Sequence, residues 1–343
     1  MVDITIRGAG IFGLSVAWAC VQRGAAVQVV DPFGPAAGSS GGVVGALAPH
    51  VPENWNSKKA FQLDSLLMAE GFWRGVEDVG GGSAGYIRSG RLQPIADDAG
   101  LALARARAGS AAELWTDHAK WRVVDAPEVK WAPPSPTDML IHDPLSALIH
   151  PQKACAALVQ ALAAKGVSIA KEAPARGKTL WATGVAGLEE MTAAHHRSVG
   201  NGVKGQAALL AYDASGAPQI FAGGVHIIPH LDGTVGVGST SERTYDNAAS
   251  TDAALDDVIA KARAAVPALA DAPVIARWAG VRPRARSRAP MLGAWPGKPD
   301  EYIANGGFKI GFGMAPKVAE VMADLMLDDR DTIPEGFRVE DNL

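Results

Sequence analysis

Gly8, Gly10 and Gly13 are spaced as G-x-G-x-x-G, and Asp31 lies 18 residues beyond the last of them. Residues of these types at this spacing can hold a dinucleotide. Gly8 permits a tight turn, Gly10 lets the backbone approach a pyrophosphate, and Gly13 lets a helix pack closely on a strand. Ile11 and Phe12 lie where that helix opens, so its unpaired N–H groups face the phosphates. An acidic residue at the tip of the following strand accepts hydrogen bonds from both ribose hydroxyls and repels a 2′-phosphate. That points to FAD or NAD and away from NADP. The pattern alone is weak; a strand before it and a helix after it give it meaning.

Two further stretches bring backbone close to a ligand. Thr179–Gly184 is an apolar strand ending in Ala182-Thr183-Gly184, which by itself reads as a buried strand and its turn. Gly306–Gly313 carries four glycines ahead of a helix, so a second helix N-terminus is available to an anion or a polarised carbonyl.

The elements that must position these residues show in the hydrophobic pattern. Val2–Ile6 is β-rich, Leu14–Arg23 reads as a helix stopped by Gly24, and Val27–Val30 reads as a buried strand, which together make a βαβ unit. Pro32–Gly45 is dense in Gly, Ser, Ala and Pro, hence irregular, and a long loop in a compact domain tends to be functional. Helical patterns cover 57–78 and 97–119, with a strand pair over Ile87–Ile95 around Ser89-Gly90. Pro151 opens a helix to Lys165, and Val167–Lys171 is a strand. Four short strands follow at Ala207–Tyr212, Gln219–Ala222, His226–Pro229 and Thr234–Gly238, the pattern of an antiparallel sheet. A helix over Asp252–Val266, a strand at Val274–Trp278, an Arg-rich loop, a strand at Tyr302–Ala304 and a helix over Ala315–Leu327 complete the chain. Ends of α/β type around a β-rich middle indicate a nucleotide domain interrupted by a substrate domain.

A length of 343 residues fits two such domains, and 48% apolar with 20% charged residues is the balance of a soluble globular protein. Net charge is −4, so no global basic field draws the chain to nucleic acid or anionic membrane. Cys20 and Cys155 are the only cysteines, which excludes a disulfide framework and a cysteine-rich metal site; no metal is expected. With no basic leader and no apolar run long enough to span a bilayer, a cytoplasmic protein is expected.

The order of motifs resembles the FAD-dependent D-amino-acid oxidase superfamily, which includes glycine oxidase, sarcosine oxidase and D-amino-acid dehydrogenases. The resemblance rests on the dinucleotide fingerprint with Asp31, on Gly38–His50 as a Ser/Gly/Ala loop under the flavin, and on Ile149-His150-Pro151-Gln152 at a helix start. It continues through Ala182-Thr183-Gly184, Val203-Lys204-Gly205-Gln206, His226–Pro229 with Asp232-Gly233-Thr234 and Gly236–Thr240, Trp278–Pro283 and Gly306–Pro316. It implies an α/β, overall α+β, fold: a Rossmann-type FAD-binding domain over 1–50, 140–200 and 275–343, with an inserted antiparallel sheet and substrate domain over 51–139 and 201–274. FAD is implied over NAD, and as non-covalent, because no cysteine occupies the covalent-flavin position.

Residue by residue, the resemblance implies that FAD meets Gly8, Gly10, Ile11, Phe12, Gly13, Asp31, Pro32, Ser39, Ser40, Gly42, Gly45, Ala46, Leu47, Ala182, Thr183, Gly184, Gly307, Phe308, Lys309, Ile310 and Gly311. Lys309 and Ile310 would pass the pyrimidine edge of the flavin, where a cation or N–H groups stabilise charge on the reduced ring. Arg282 would bind the substrate carboxylate through its planar guanidinium. His226 stands where the family often has a pocket tyrosine, and His50 follows the flavin loop. The reaction implied is oxidation of the C–N bond of a small amine or amino acid, with oxygen or a quinone as electron acceptor. The segment Arg282–Gly293 departs from the family by three extra arginines, Arg284, Arg286 and Arg288, and is similar to the FAD domain of tRNA wobble-uridine modification enzymes. Two other readings follow: oxidation of a carboxymethylaminomethyl group in tRNA, with those arginines on phosphates, and a flavin-free or NAD-binding module.

Overall fold

A computed structural model describes residues 2–343. The chain opens with β1 (Ile4–Arg7), α1 (Ile11–Gln22) and β2 (Val27–Val30), and β1 and β2 pair in parallel from Ile4 opposite Val27 to Arg7 opposite Val30. α1 begins at Ile11, three residues before its expected start, because Ser40 Oγ accepts the Ile11 N–H at 3.0 Å and caps the first turn from a distant loop. Helix α1 is buried nearly all round, the condition of a helix packed between layers rather than on a surface. It ends as expected, with Arg23 as C-cap and Gly24 left-handed at φ +85°.

After the irregular stretch come β3 (Ala46–Leu47), α2 (Ser57–Gly80), β4 (Arg91–Pro94), α3 (Asp98–Leu114), β5 (Arg122–Asp125) and β6 (Met139–Asp143). The expected hairpin at Ile87–Ile95 does not form. Ile87 instead makes a single bridge to Leu148, and β4 lies between β6 and a later strand. The turn at Ser89-Gly90 thus redirects the chain between layers instead of reversing it. The second helical pattern stops at Leu114, and a short 3-10 turn, Thr116–His118, finishes it.

β7 (Ala147–Leu148), α4 (Pro151–Ala164), β8 (Ile169–Ala170), β9 (Lys178–Trp181) and α5 (Gly184–Ala194) return the chain to the nucleotide layer. Then β10 (Gly200–Ala211), β11 (Gln219–Ala222), β12 (Val225–Pro229), β13 (Thr234–Gly238), α6 (Ala253–Ala265) and β14 (Val274–Ala285) build the second sheet. β15 (Met291–Ala294), β16 (Glu301–Asn305) and α7 (Gly311–Asp328) close the first. Six strands in the order β15-β16-β9-β1-β2-β8 make the nucleotide sheet, parallel except at β15-β16. Eight strands in the order β14-β10-β13-β12-β11-β4-β6-β5 make the other, antiparallel except between β11 and β4. This is the mixed α/β architecture the sequence implies.

The Arg-rich segment is the main departure. Arg282, Pro283 and Arg284 are not in a loop but continue β14, which pairs with β10 along its length from Val274 to Ala285. β14 is an edge strand, so Pro283 costs no hydrogen bond on its free side. α7 likewise starts at Gly311 rather than Ala315 and so encloses Pro316, whose missing N–H leaves the Phe312 carbonyl without its helical partner. Sheet membership also crosses two expected boundaries. Met139–Asp143 and Val274–Ala285 lie in the second sheet, while α2 packs on α4 and α7 of the nucleotide layer. We therefore propose that the nucleotide unit takes 2–80, 144–198 and 286–343. No helix among the described residues is long and apolar enough to cross a membrane.

Candidate active site

Between the two sheets lies a cavity of about 1320 Å³. That exceeds the roughly 300–1,000 Å³ of a site for one drug-sized ligand, so a dinucleotide and a small substrate fit together. One end is built by the β1–α1 turn. Gly8, at φ +107°, has no room for a β-carbon, which would sit 2.3 Å from the Ala182 carbonyl oxygen. Gly10 lines the cavity above Ser40. Gly13 does not reach the cavity; a β-carbon there would lie 1.9 Å from the Gly8 carbonyl oxygen, so its part is the close helix–strand crossing.

Asp31 lines the same end, and its carboxylate accepts the Ala9 N–H at 2.8 Å and the Phe33 N–H at 2.9 Å. These bonds fix the carboxylate at the strand tip while leaving lone pairs for hydroxyl donors. Pro32, Ser39, Ser40, Gly42, Gly45 and Ala46 run along the cavity with Ile11 and Phe12, and Ala182, Thr183 and Gly184 line it beside Gly8, at the end of the neighbouring strand β9. Gly307, Phe308, Lys309, Ile310 and Gly311 close the far side at the N-terminus of α7. With Gly13, Leu47 lies outside the cavity among the expected contacts: it is fully buried in the hydrophobic core, because alternation along β3 turns it away from Ala46.

At the other end, β14 presents Arg282, 9% exposed, whose Nη2 donates to Ser239 Oγ at 2.6 Å and Nη1 to the Thr240 carbonyl at 3.3 Å. Its guanidinium crosses Gly205, where a β-carbon would meet it at 1.9 Å. Burial lowers its pKa to about 10, opposed by Glu242, so it is a cation at neutral pH. Desolvation, then repulsion from Arg282, lowers the Lys309 pKa. Two cations therefore face one part of the cavity, and an anion there gains from both.

His226 also lines this part, its ring 4.6 Å from that of Phe221, and burial with the charges of Arg91 and Lys309 lowers its pKa to about 4. It is a neutral imidazole in the physiological range. His50 lines the cavity through the loop before α2, with its N–H and ring Nδ1 on Gln62 Oε1; burial lowers its pKa.

Several lining residues were not singled out from the sequence. Trp278 packs over Gly280 and Gly42, and Arg91, paired with Asp143 at 3.0 Å, joins Gln93 and Gln62 in the polar lining. Trp278 lay within the Trp278–Pro283 motif and could have been found there. Arg91 and Asp143 are 52 residues apart and meet only through β4–β6 pairing, which no local signal announces. Arg284 stands outside, its guanidinium 5.5 Å from the Phe308 ring centroid, and Arg286 and Arg288 are exposed. Neither cysteine lines the cavity; both are buried, and burial pushes both thiols up to about 12.

The profile of the family DAO, FAD dependent oxidoreductase, matches residues 3–325. Glycine oxidase of Pseudomonas aeruginosa is 35% identical over 125 residues, 36% of this chain and 34% of its own length. The aligned part is thus about a third of that relative. A tRNA 5-methylaminomethyl-2-thiouridine biosynthesis bifunctional protein of Psychrobacter sp. is 35% identical over 75 residues, 22% of this chain and 10% of its own. Among solved structures, iminodiacetate oxidase from Chelativorans sp. BNC1 superposes with a TM-score of 0.86 at 20% identity, covering 98% of both chains. At that identity the likeness speaks for the fold.

Proposed function

Because the chain belongs to the DAO family of FAD-dependent oxidoreductases, we propose that it oxidises the C–N bond of a small amino acid or secondary amine that carries a carboxylate. The observation that carries this reading is Arg282, a buried guanidinium held on neutral acceptors and aimed into the cavity. Its cost of burial is recovered when a carboxylate completes the pair. FAD, when bound, supplies the hydride acceptor. The chain's own residues bind and orient: the glycines at both helix N-termini admit the dinucleotide, Arg282 fixes the carboxylate, and Trp278 and Phe308 exclude water. His226, neutral and facing the same space, adds no charge to repel a substrate ammonium. No side chain is assigned as a base.

The test is anaerobic mixing of the yellow holoenzyme with a panel of amino acids, N-substituted glycines and their decarboxylated analogues, followed by flavin absorbance. Bleaching by carboxylate-bearing amines, and at least about 100-fold slower bleaching by the analogues, is expected. Equal rates with both would overturn the reading. The acceptor in turnover is oxygen or a quinone, and oxygen uptake against reduction of a quinone analogue separates them.

At the adenosine end, Asp31→Ala should weaken FAD retention by on the order of 1.5–3 kcal/mol, as the ribose hydroxyls lose a charged acceptor. Unchanged affinity would place the ribose elsewhere. A second reading has one observation behind it: Arg284, beside the cavity-lining Phe308, and the exposed Arg286 and Arg288 could meet the phosphates of a tRNA whose carboxymethylaminomethyl group enters the cavity. The net charge of −4 opposes it. Electrophoretic mobility with tRNA distinguishes the two.

A further inference from the structure

Behind Arg282, on the opposite face of the second sheet, a buried lysine and a buried glutamine meet two carboxylates, Glu242 with 21% and Asp252 with 55% of its side chain exposed. Lys204 is 2% exposed and Gln206 is fully buried. Both lie on β10, two residues apart and so on one face, whereas Gly205 between them faces the other way, under the Arg282 guanidinium. A lysine this deeply buried needs compensation. Lys204 Nζ lies 3.6 Å from Glu242 and 3.7 Å from Asp252. Gln206 Nε2 donates to the same two carboxylates, at 3.0 Å and 2.9 Å, and Gln206 Oε1 accepts the Asp252 N–H at 2.8 Å.

Glu242 and Asp252 are the two feet of one excursion of the chain. Past β13 the backbone continues beside β10, where Thr240 and Gln206 and then Glu242 and Lys204 exchange hydrogen bonds. It then leaves, mostly exposed from Arg243 to Ser250, and returns to Asp252, the N-cap of α6. Ala248 and Ala249 of the excursion line the cavity. Ser239 and Thr240, at its root, are the acceptors that hold Arg282. The side-chain hydroxyl of Thr240 in turn bonds Glu242. One buried pair thus ties together both feet of a flap and, through Thr240, the guanidinium in the cavity.

We propose that Lys204 and Gln206 are positioning residues, clamping the 239–252 flap against β10 and so holding Arg282 in register for a substrate carboxylate. The consequence for the substrate rests on the carboxylate reading above; the clamp itself does not. Without the ammonium, two carboxylates that share one amide donor repel each other, and the flap's feet part. The role is not catalytic, since neither side chain lines the cavity.

The experiment uses the FAD-loaded enzyme and four variants: Lys204→Met, Lys204→Arg, Arg282→Ala, and Lys204→Met combined with Arg282→Ala. Trypsin cleavage after Arg243, in the exposed part of the flap, reports its opening. At least about tenfold faster cleavage in Lys204→Met, and cleavage within about threefold of wild type in Lys204→Arg, is expected. Titration with benzoate, read from the flavin absorbance band, should show about tenfold weaker binding in Lys204→Met and no further loss when that change is added to Arg282→Ala, the non-additivity of two residues in one chain of contacts. Saturating kcat on the best substrate should stay within about threefold, with the loss in KM. Cleavage unchanged within about twofold, or losses that add in full, overturns the proposal. Should wild type bind no carboxylate, the functional reading fails, and the trypsin comparison alone decides the clamp. If Lys204→Met does not fold, Glu242→Ala, at a partly exposed residue, breaks the same tie and is held to the same outcomes.

Discussion

Arg282→Ala should leave a yellow, folded protein that has lost most of its substrate binding. The guanidinium is buried and its protein partners are a hydroxyl and a carbonyl, so no carboxylate of the chain competes for it directly. Removing one partner of a desolvated pair costs about 2–5 kcal/mol, a loss in kcat/KM of about 30-fold to several-thousand-fold. Arg282→Lys should recover part of it, because an ammonium cannot reproduce a bidentate pair. Gly205→Ala offers a finer version: the new methyl group falls where the guanidinium now rests and would displace it without removing its charge. Binding should also weaken at high pH, as Arg282, its pKa lowered to about 10, and Lys309, lowered by burial and by Arg282, lose their charge. The checks are steady-state kinetics at two ionic strengths, with Arg284→Ala, Arg286→Ala and Arg288→Ala alongside. Those three should have mild effects for a small substrate, and joint, salt-dependent effects for tRNA. Equal, small effects from all four would remove Arg282 as the carboxylate anchor.

How this site reads in the sequence depends on how far apart its parts lie. The β1–α1 turn was legible because strand, glycine spacing, helix and Asp31 all fall within one βαβ unit, where period and punctuation carry the information. β11, β12 and β13 of the second sheet were legible for the same reason, whereas β5 and β6 were not read as strands. Arg282 was legible only by resemblance, and its setting was misjudged: Arg282, Pro283 and Arg284 read as a loop, yet edge position and pairing with β10 keep them in a strand. Leu47 was misplaced because a two-residue strand gives too short a pattern to tell which face each residue takes. Arg91 with Asp143, and Lys204 with Glu242 and Asp252, were invisible, since a buried charge is paired by whichever partner the fold supplies.

Two left-handed glycines of the same βαβ unit separate conformational strain from crowding, and Gly8→Ala should be much the more damaging. Gly24, at φ +85°, has nothing within 4 Å of where a β-carbon would stand, so Gly24→Ala bears only the left-handed penalty, about 1–2 kcal/mol. Gly8, at φ +107°, bears that and a contact of 2.3 Å with the Ala182 carbonyl oxygen, which is backbone and cannot swing aside. Relief requires moving the end of β9, and with it Thr183 and Gly184, which line the same cavity as Asp31 and Gly10. The expected cost is on the order of 3–5 kcal/mol of stability, in the range reserved for strain at a special backbone position. FAD retention should fall with it, because the same displacement spoils the wall against which the dinucleotide lies. The measurement is the flavin-to-protein ratio after gel filtration, with thermal melts of both variants. Gly24→Ala should come off yellow with a modestly lowered Tm, and Gly8→Ala nearly colourless with a larger drop. If Gly8→Ala kept stoichiometric FAD and melted no lower than Gly24→Ala, the β1–α1 turn would not be the cradle, and the dinucleotide would have to lie elsewhere in the cavity.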